Sequence, residues 1–272
     1  MKMYQVDAFT KELFKGNSAA VIILDEWLDD ALMQKIALEN NLSETAFIKP
    51  NSDHIFDICW YTPESEIDFC GHATLASAFI LFEHYPALKE FTFRTRAVGD
   101  FYITQHADGR IVMDFPIRAP EPLLDYPQAL QDALDLPFKA VYINPQAYIV
   151  EYEHADQIRS LKPNFEKLKQ ISIDAEQLYG KSRDIVVTAP SKGQYDCISR
   201  YFAPILGVNE DPVTGSIHTA VVPFWAERLN LNELVAYQAS NRGGTLYCKI
   251  LGPDRIEVSG YAKLYMTADI YI

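Results

Sequence analysis

This chain repeats itself, and the repetition restricts its folds more than any other feature. Thr95-Arg96-Ala97-Val98-Gly99-Asp100-Phe101-Tyr102 aligns with Ser240-Asn241-Arg242-Gly243-Gly244-Thr245-Leu246-Tyr247 about 145 residues later, and Arg110-Ile111 falls on Arg255-Ile256. A second pair keeps nearly the same offset: Gly71-His72-Ala73-Thr74 and Ala76 fall on Gly215-Ser216-Ile217-His218 and Ala220. Two independent matches at one spacing point to duplication, and a duplicated chain is built from two similar units. Each copy has the size of an ordinary domain. The expected division is an N-terminal domain over 1–116 and a C-terminal domain over 128–272, with a proline-rich linker at 117–127 and the last strand free to cross to the first domain. Sites tend to form where such copies meet.

The charge balance narrows the partners. With 24 Lys and Arg against 37 Asp and Glu, the formal net charge is −13, which repels nucleic acid and anionic lipid. The first residues carry charges every few positions and lack the apolar run of a signal peptide. The longest nearly apolar stretch, 73–82, falls well short of the roughly 20 residues that span a bilayer. A cytoplasmic protein is therefore expected. The cysteines Cys59, Cys70, Cys197 and Cys248 form no disulfide framework and none sits at metal-ligand spacing with another, so no metal is expected.

Periodicity places the elements. Strands are predicted over 1–9 and 19–24, then a helix from Asp29 carrying Leu32, Met33, Ile36 and Ala37 on one face and stopping at Asn40-Asn41. Strands at 42–48 and 56–62 precede an apolar helix through Phe82, and strands at 91–96, 100–105 and 111–115 close the first copy. The second copy is read as a strand at 147–152, a helix at 165–170, strands at 184–189 and 196–202, a long loop, a helix to Leu229 kinked at Pro223, and three closing strands. Strands grouped around single helices, without regular βα alternation, indicate the α+β class.

In both copies a glycine loop leads straight into an apolar helix, at Gly71-His72 and at Gly215-Ser216. Helix N-termini present N–H groups to anions, so a small carboxylate is the natural guest, and the same polarity suits charge developing on its oxygens during reaction. For either loop alone, ordinary helix capping explains the pattern as well. The surrounding residues add to this. Cys70-Gly71-His72-Ala73-Thr74 and Glu210-Asp211-Pro212-Val213-Thr214-Gly215-Ser216, with Gly16-Asn17-Ser18-Ala19-Ala20-Val21, Ser43-Glu44-Thr45-Ala46-Phe47 and Ser240-Asn241-Arg242-Gly243-Gly244, resemble the signatures of the phenazine-biosynthesis isomerase-like family, in the family's order and over nearly the whole chain.

The resemblance implies the diaminopimelate-epimerase-like fold: two pseudo-symmetric domains, each a curved, mainly antiparallel sheet wrapped around a central helix, with the site between them. It implies a cofactor-independent isomerase that moves a proton on a small carboxylic acid, and a homodimer. Residue by residue, Glu44 becomes the proton carrier, and His72, Asp211 and Ser216 the remaining polar catalytic positions. Asn17, Gly71, Ala73, Thr214 and Gly215 become substrate-binding positions. A helix N-terminus disfavours imidazolium, so a neutral His72 is expected. Epimerases of this fold use two cysteines, but Cys70 falls on Thr214 in the repeat, and an alcohol is too weak an acid to replace a thiol. Two other readings stay open: an amino-acid or hydroxy-acid racemase or epimerase pairing Cys70 with a carboxylate, and a metabolite-binding protein without turnover. Cys70 is otherwise a packing residue.

Overall fold

A computed structural model describes residues 1–272. Its chain forms two compact units, Met1–Phe115 with Glu257–Ile272, and Pro116–Ile256.

The first unit contains β1 (Lys2–Ala8), β2 (Asn17–Ile23), α1 (Asp30–Asn40), β3 (Glu44–Ser52), β4 (Ile55–Tyr61), β5 (Glu66–Ile67), α2 (Gly71–His84), β6 (Glu90–Arg94), β7 (Asp100–Gln105) and, ending at the unit boundary, β8 (Ile111–Pro116). α1 has the ends its sequence announces: the Asp29 side chain accepts from Ala31 N, and Asn41 closes it in the left-handed region at φ 49°. Pairing runs β1–β2 antiparallel, β2–β3 parallel, β3–β4 antiparallel, β4–β6 parallel and β6–β7 antiparallel. α2 is buried nearly all round from Gly71 to Phe82, with Leu75, Ala76, Ile80 and Leu81 at most 2% exposed. A helix apolar all round belongs inside a core.

The second unit contains β9 (Glu121–Pro122), α3 (Ala129–Ala133), β10 (Ala140–Ile143), β11 (Ala147–Glu151), α4 (Ala155–Ser160), α5 (Phe165–Tyr179), β12 (Asp184–Pro190), β13 (Cys197–Ala203), β14 (Val208–Asp211), α6 (His218–Leu229), β15 (Glu233–Gln238) and β16 (Gly244–Ile250). The chain continues through β17 (Arg255–Gly260) and β18 (Ala262–Asp269). β10–β11 is antiparallel, β11–β12 parallel, β12–β13 antiparallel, β13–β15 parallel and β15–β16 antiparallel. This is the pairing order of the first unit, repeated. The core of the second unit packs Val150, Ile185, Val187 and Phe202 of the strands against Leu168, Ile171 and Ala175 of α5.

Several segments differ from the sequence expectation. The proposed linker 117–127 carries β9, which pairs with β10, so the second unit starts earlier than 128. Residues 257–272 group with the first unit: the last strand crosses, as the sequence reading allowed, and β18 pairs along the length of β1 from Lys2↔Asp269 to Ala8↔Ala262, while most of β17 goes with it. The second copy ends in four strands, not three, and α5 runs on to Tyr179, where Gly180 closes it at φ 72°. α6 continues through Pro223 because the carbonyl that loses its helical partner, Thr219 O, accepts from Arg118 N at 3.0 Å. No helix is long and apolar enough to cross a membrane.

Candidate functional site

In the first unit three chain segments deliver one cluster. Gly16, at φ +65°, turns the chain into β2, and a Cβ there would lie 2.0 Å from Ala8 O, so only glycine fits. Asn17 then opens β2, and the parallel register Ala19↔Glu44 sets Glu44 at the start of β3. The third segment is the start of α2, where Cys70 at the N-cap offers no side-chain oxygen to the first-turn N–H groups. Gly71 and Ala73 sit in that first turn, both buried.

His72 is the centre of the cluster. Its Nε2 lies 2.9 Å from Glu44 Oε2, with side chains 5% and 15% exposed. The contact has ion-pair distance but not the direction of a full ring hydrogen bond, so the buried Oε2 keeps acceptor capacity. On the other side, Asn17 Nδ2 is 3.0 Å and Cys70 Sγ 3.3 Å from Nδ1. Both are groups that donate, which suits a neutral ring with its hydrogen on Nε2. Burial also opposes the imidazolium, but the Cys70 sulfur and the Glu44 carboxylate favour it, and together they hold the ring well above the ordinary histidine value of 6.5. A carboxylate in contact and the partial charge of a helix end thus act on the ring in opposite senses. The Cys70 thiol is pushed up to about 11, first by burial and then by Glu44, so it is protonated at neutral pH.

In the second unit the loop between β14 and α6 carries the other expected residues. Asp211 ends β14, and the Thr214 hydroxyl donates to Asp211 Oδ2. Thr214 N donates to Gln238 Oε1 at 2.9 Å, and Gln238 Nε2 donates to Asp211 O at 2.7 Å. His218 Nδ1 lies 2.8 Å from Thr214 O and takes the donor role there. Every polar group of Thr214 is thus engaged by Asp211, Gln238 of β15 or His218 of α6, which fits bracing better than a direct hold on substrate. Gly215 and Ser216 lie in a turn ahead of α6, since the helix itself begins at His218. Burial drives His218 down to about 4, so its ring is neutral at physiological pH.

Ser216 is the end of a relay that sequence patterning did not reveal. Its Oγ accepts from Gln146 Nε2 at 2.9 Å, which leaves the serine hydrogen to be donated elsewhere. The same Gln146 nitrogen donates to Tyr201 Oη at 3.0 Å, and Tyr201 donates to Asp184 Oδ2 at 2.5 Å. Asp184 is pushed up to about 6 by burial, with Asp211 adding to the rise and the Tyr201 bond opposing it. The Ser240–Gly244 motif serves the same loop: Ser240 Oγ donates to Pro212 O at 2.8 Å and accepts from Gly243 N at 3.0 Å. Glu210 pairs with Arg200 through two contacts of 2.7 and 2.9 Å, fixing β14 to β13. The large open depression of this unit, about 560 Å³ beside Tyr142, Phe224 and Arg228, shares no residue with the expected site.

The sequence profile described as "Phenazine biosynthesis-like protein" matches residues 6–268. The chain belongs to the phenazine biosynthesis-like family. An uncharacterized isomerase of Halalkalibacterium halodurans is 43% identical to this family member over 273 residues, covering 99% of this chain and 98% of its own. The crystal structure of a phenazine biosynthesis protein of the PhzF family from Enterococcus faecalis superposes with a TM-score of 0.91 at 38% identity, covering 100% of this chain and 99% of that one. A hydroxyproline epimerase from Agrobacterium vitis, with bound trans-4-hydroxy-L-proline, shares the fold alone, at TM-score 0.62 and 9% identity over 98% of this chain and 91% of that one. The α+β, epimerase-like fold expected from the duplication and the motifs is borne out. As a member of the phenazine biosynthesis-like family the chain is an isomerase.

Proposed function

We propose that the protein moves a proton within a small carboxylic acid, and that Glu44 takes the proton and returns it. The observation that carries this reading is the buried contact in which Glu44 Oε2, an oxygen with acceptor capacity, lies 2.9 Å from His72 Nε2. Glu44 would accept the hydrogen of a C–H adjacent to an unsaturated system, the bonding pair would pass into that system, and the same carboxyl would deliver the proton to another carbon. No atom or electron is gained or lost, as an isomerisation requires. Asp211 and the free hydrogen of Ser216 would hold and polarise substrate oxygens, with Asn17 and the N–H groups at Gly71 and Ala73 assisting and Thr214 and Gly215 shaping the loop.

Positioned acid–base groups contribute about 10²- to 10⁴-fold to such reactions. Candidate cyclic or amino-bearing acids incubated in heavy water with the wild type should gain deuterium, and Glu44→Gln should slow the gain by at least about 100-fold. Equal incorporation by both proteins would remove Glu44 from the mechanism. A Cys70-based racemase is the weaker reading, because a thiol near 11 supplies almost no thiolate at neutral pH.

A further inference from the structure

The relay behind Ser216 has a direction, and one charge sets it. Asp184 N donates to Gln146 O at 3.1 Å, and the register Val186↔Tyr201 puts Asp184, two residues before Val186, on the same face of the sheet as Tyr201. Tyr201 Oη has one hydrogen to give and two neighbours, Asp184 Oδ2 at 2.5 Å and the Gln146 amide at 3.0 Å. Oxygens so close need a hydrogen between them, and an ionised carboxylate has none, so the tyrosine hydrogen goes to Asp184. Tyr201 Oη is then left to accept, which only the NH2 end of Gln146 can satisfy. The second hydrogen of that NH2 points at Ser216 Oγ, 2.9 Å away, so the serine accepts as well. Gln146 Oε1 is buried without a hydrogen bond, so nothing at the other end of the amide fixes its orientation. Turned over, the amide would offer its oxygen to both hydroxyls and draw the Ser216 hydrogen back into the relay. The charge of Asp184 forbids this.

We propose that Asp184 is a positioning residue whose negative charge, carried through Tyr201 and Gln146, compels Ser216 to donate its hydrogen to the substrate. Its role in activity rests on the reading of Ser216 as a group that polarises substrate; the direction of the relay does not. Burial raises Asp184 to about 6, with Asp211 of β14 adding to the rise and the bond from Tyr201 of β13 opposing it, so the carboxylate is ionised in neutral solution. Arg183, next to it in the chain, is turned toward the Tyr179 ring and the Lys181 and Ser182 carbonyls.

The relay is tested by nuclear magnetic resonance of isotope-labelled protein, in which each glutamine side chain gives a pair of amide resonances and the Gln146 pair is the one lost in Gln146→Ala. In the wild type that pair should move between about pH 5 and 8, with its midpoint at about 6. It should stay still in Asp184→Asn, and also in Tyr201→Phe, which cuts the relay one link later and serves where the first variant does not fold. A pair that ignores pH in the wild type, or that moves as far in these variants, overturns the proposal. The role in activity is read by deuterium exchange in neutral heavy water. Ser216→Ala and Asp184→Asn should each slow exchange at least about tenfold, and the double variant should be no slower than Ser216→Ala, because without the hydroxyl there is nothing to aim. Effects that multiply would mean that Asp184 acts by another route and would overturn its action through Ser216. Should the amide pair titrate as expected while Ser216→Ala exchanges at the wild-type rate, the relay stands and the reading of Ser216 falls.

Discussion

Gly16 has no functional group, yet Asn17 and its bond to His72 depend on it. Gly16→Ala would put a methyl group against the Ala8 carbonyl at a backbone angle that L-residues resist, and should cost at least about 2 kcal/mol of stability, measured by urea unfolding. A cost below about 0.5 kcal/mol would mean that the β1–β2 turn has other conformations available. Asn17, Glu44 and His72 were legible in the sequence because each sits in a short contiguous motif. Gln146, Tyr201, Asp184 and Gln238 were not. Tyr201 and Asp184 lie in apolar strands and read as packing, and Gln146 meets Ser216 from 70 positions away in the chain, a distance no local pattern encodes. The surroundings of His72 were half legible for the same reason: the helix end is visible in the sequence, whereas the carboxylate beside it is brought there only by the fold.

Two elements of the second unit pull its stability in opposite directions with pH. Asp184, at the start of β12, is raised from 3.8 to about 6, so the folded state holds this proton more tightly; the stability it adds is full below 3.8 and lost as pH rises through about 6. His218, which opens α6, is lowered from 6.5 to about 4, so its contribution is full above 6.5 and lost as pH falls toward 4. Each spans about 3 kcal/mol, and over pH 4 to 6 they offset one another. Asp184→Asn should therefore lose stability steeply on acidification, while His218→Gln should lose it as pH rises from 4 to 6. Urea midpoints measured across this window would show it; parallel slopes in both variants and the wild type would refute the opposition. At this scale the sequence was most legible where ends are marked by side chains, as at Asp29 and Asn41 of α1. It was least legible where tertiary partners complete an element, as with Arg118 N below Pro223, or where polar residues cover one face, as along the C-terminal half of α5.

Across the whole molecule the duplication foretold the architecture, since both units repeat one order of antiparallel and parallel pairings. What the repeat concealed is where each unit ends. The strand pair of β9 with β10 puts the supposed linker inside the second unit, and the crossing of the last strand, which the sequence allowed, gains its partner β1 only in the fold. Removing 262–272 would leave β1 with β2 alone, and hydrogen exchange should then show early loss of protection in β1 and β2 with β11 to β13 still protected. Uniform loss in all five strands would contradict this independence. The β1–β18 pair also governs how the protein is made. On the ribosome, the segment from Pro116 to Ile256 has all its strands before β18 emerges, whereas β1 must wait, one edge unpaired, through the synthesis of that whole segment. The unit begun earlier of the two should therefore finish folding after the other, and that exposed edge is where a nascent-chain chaperone would have most to shield.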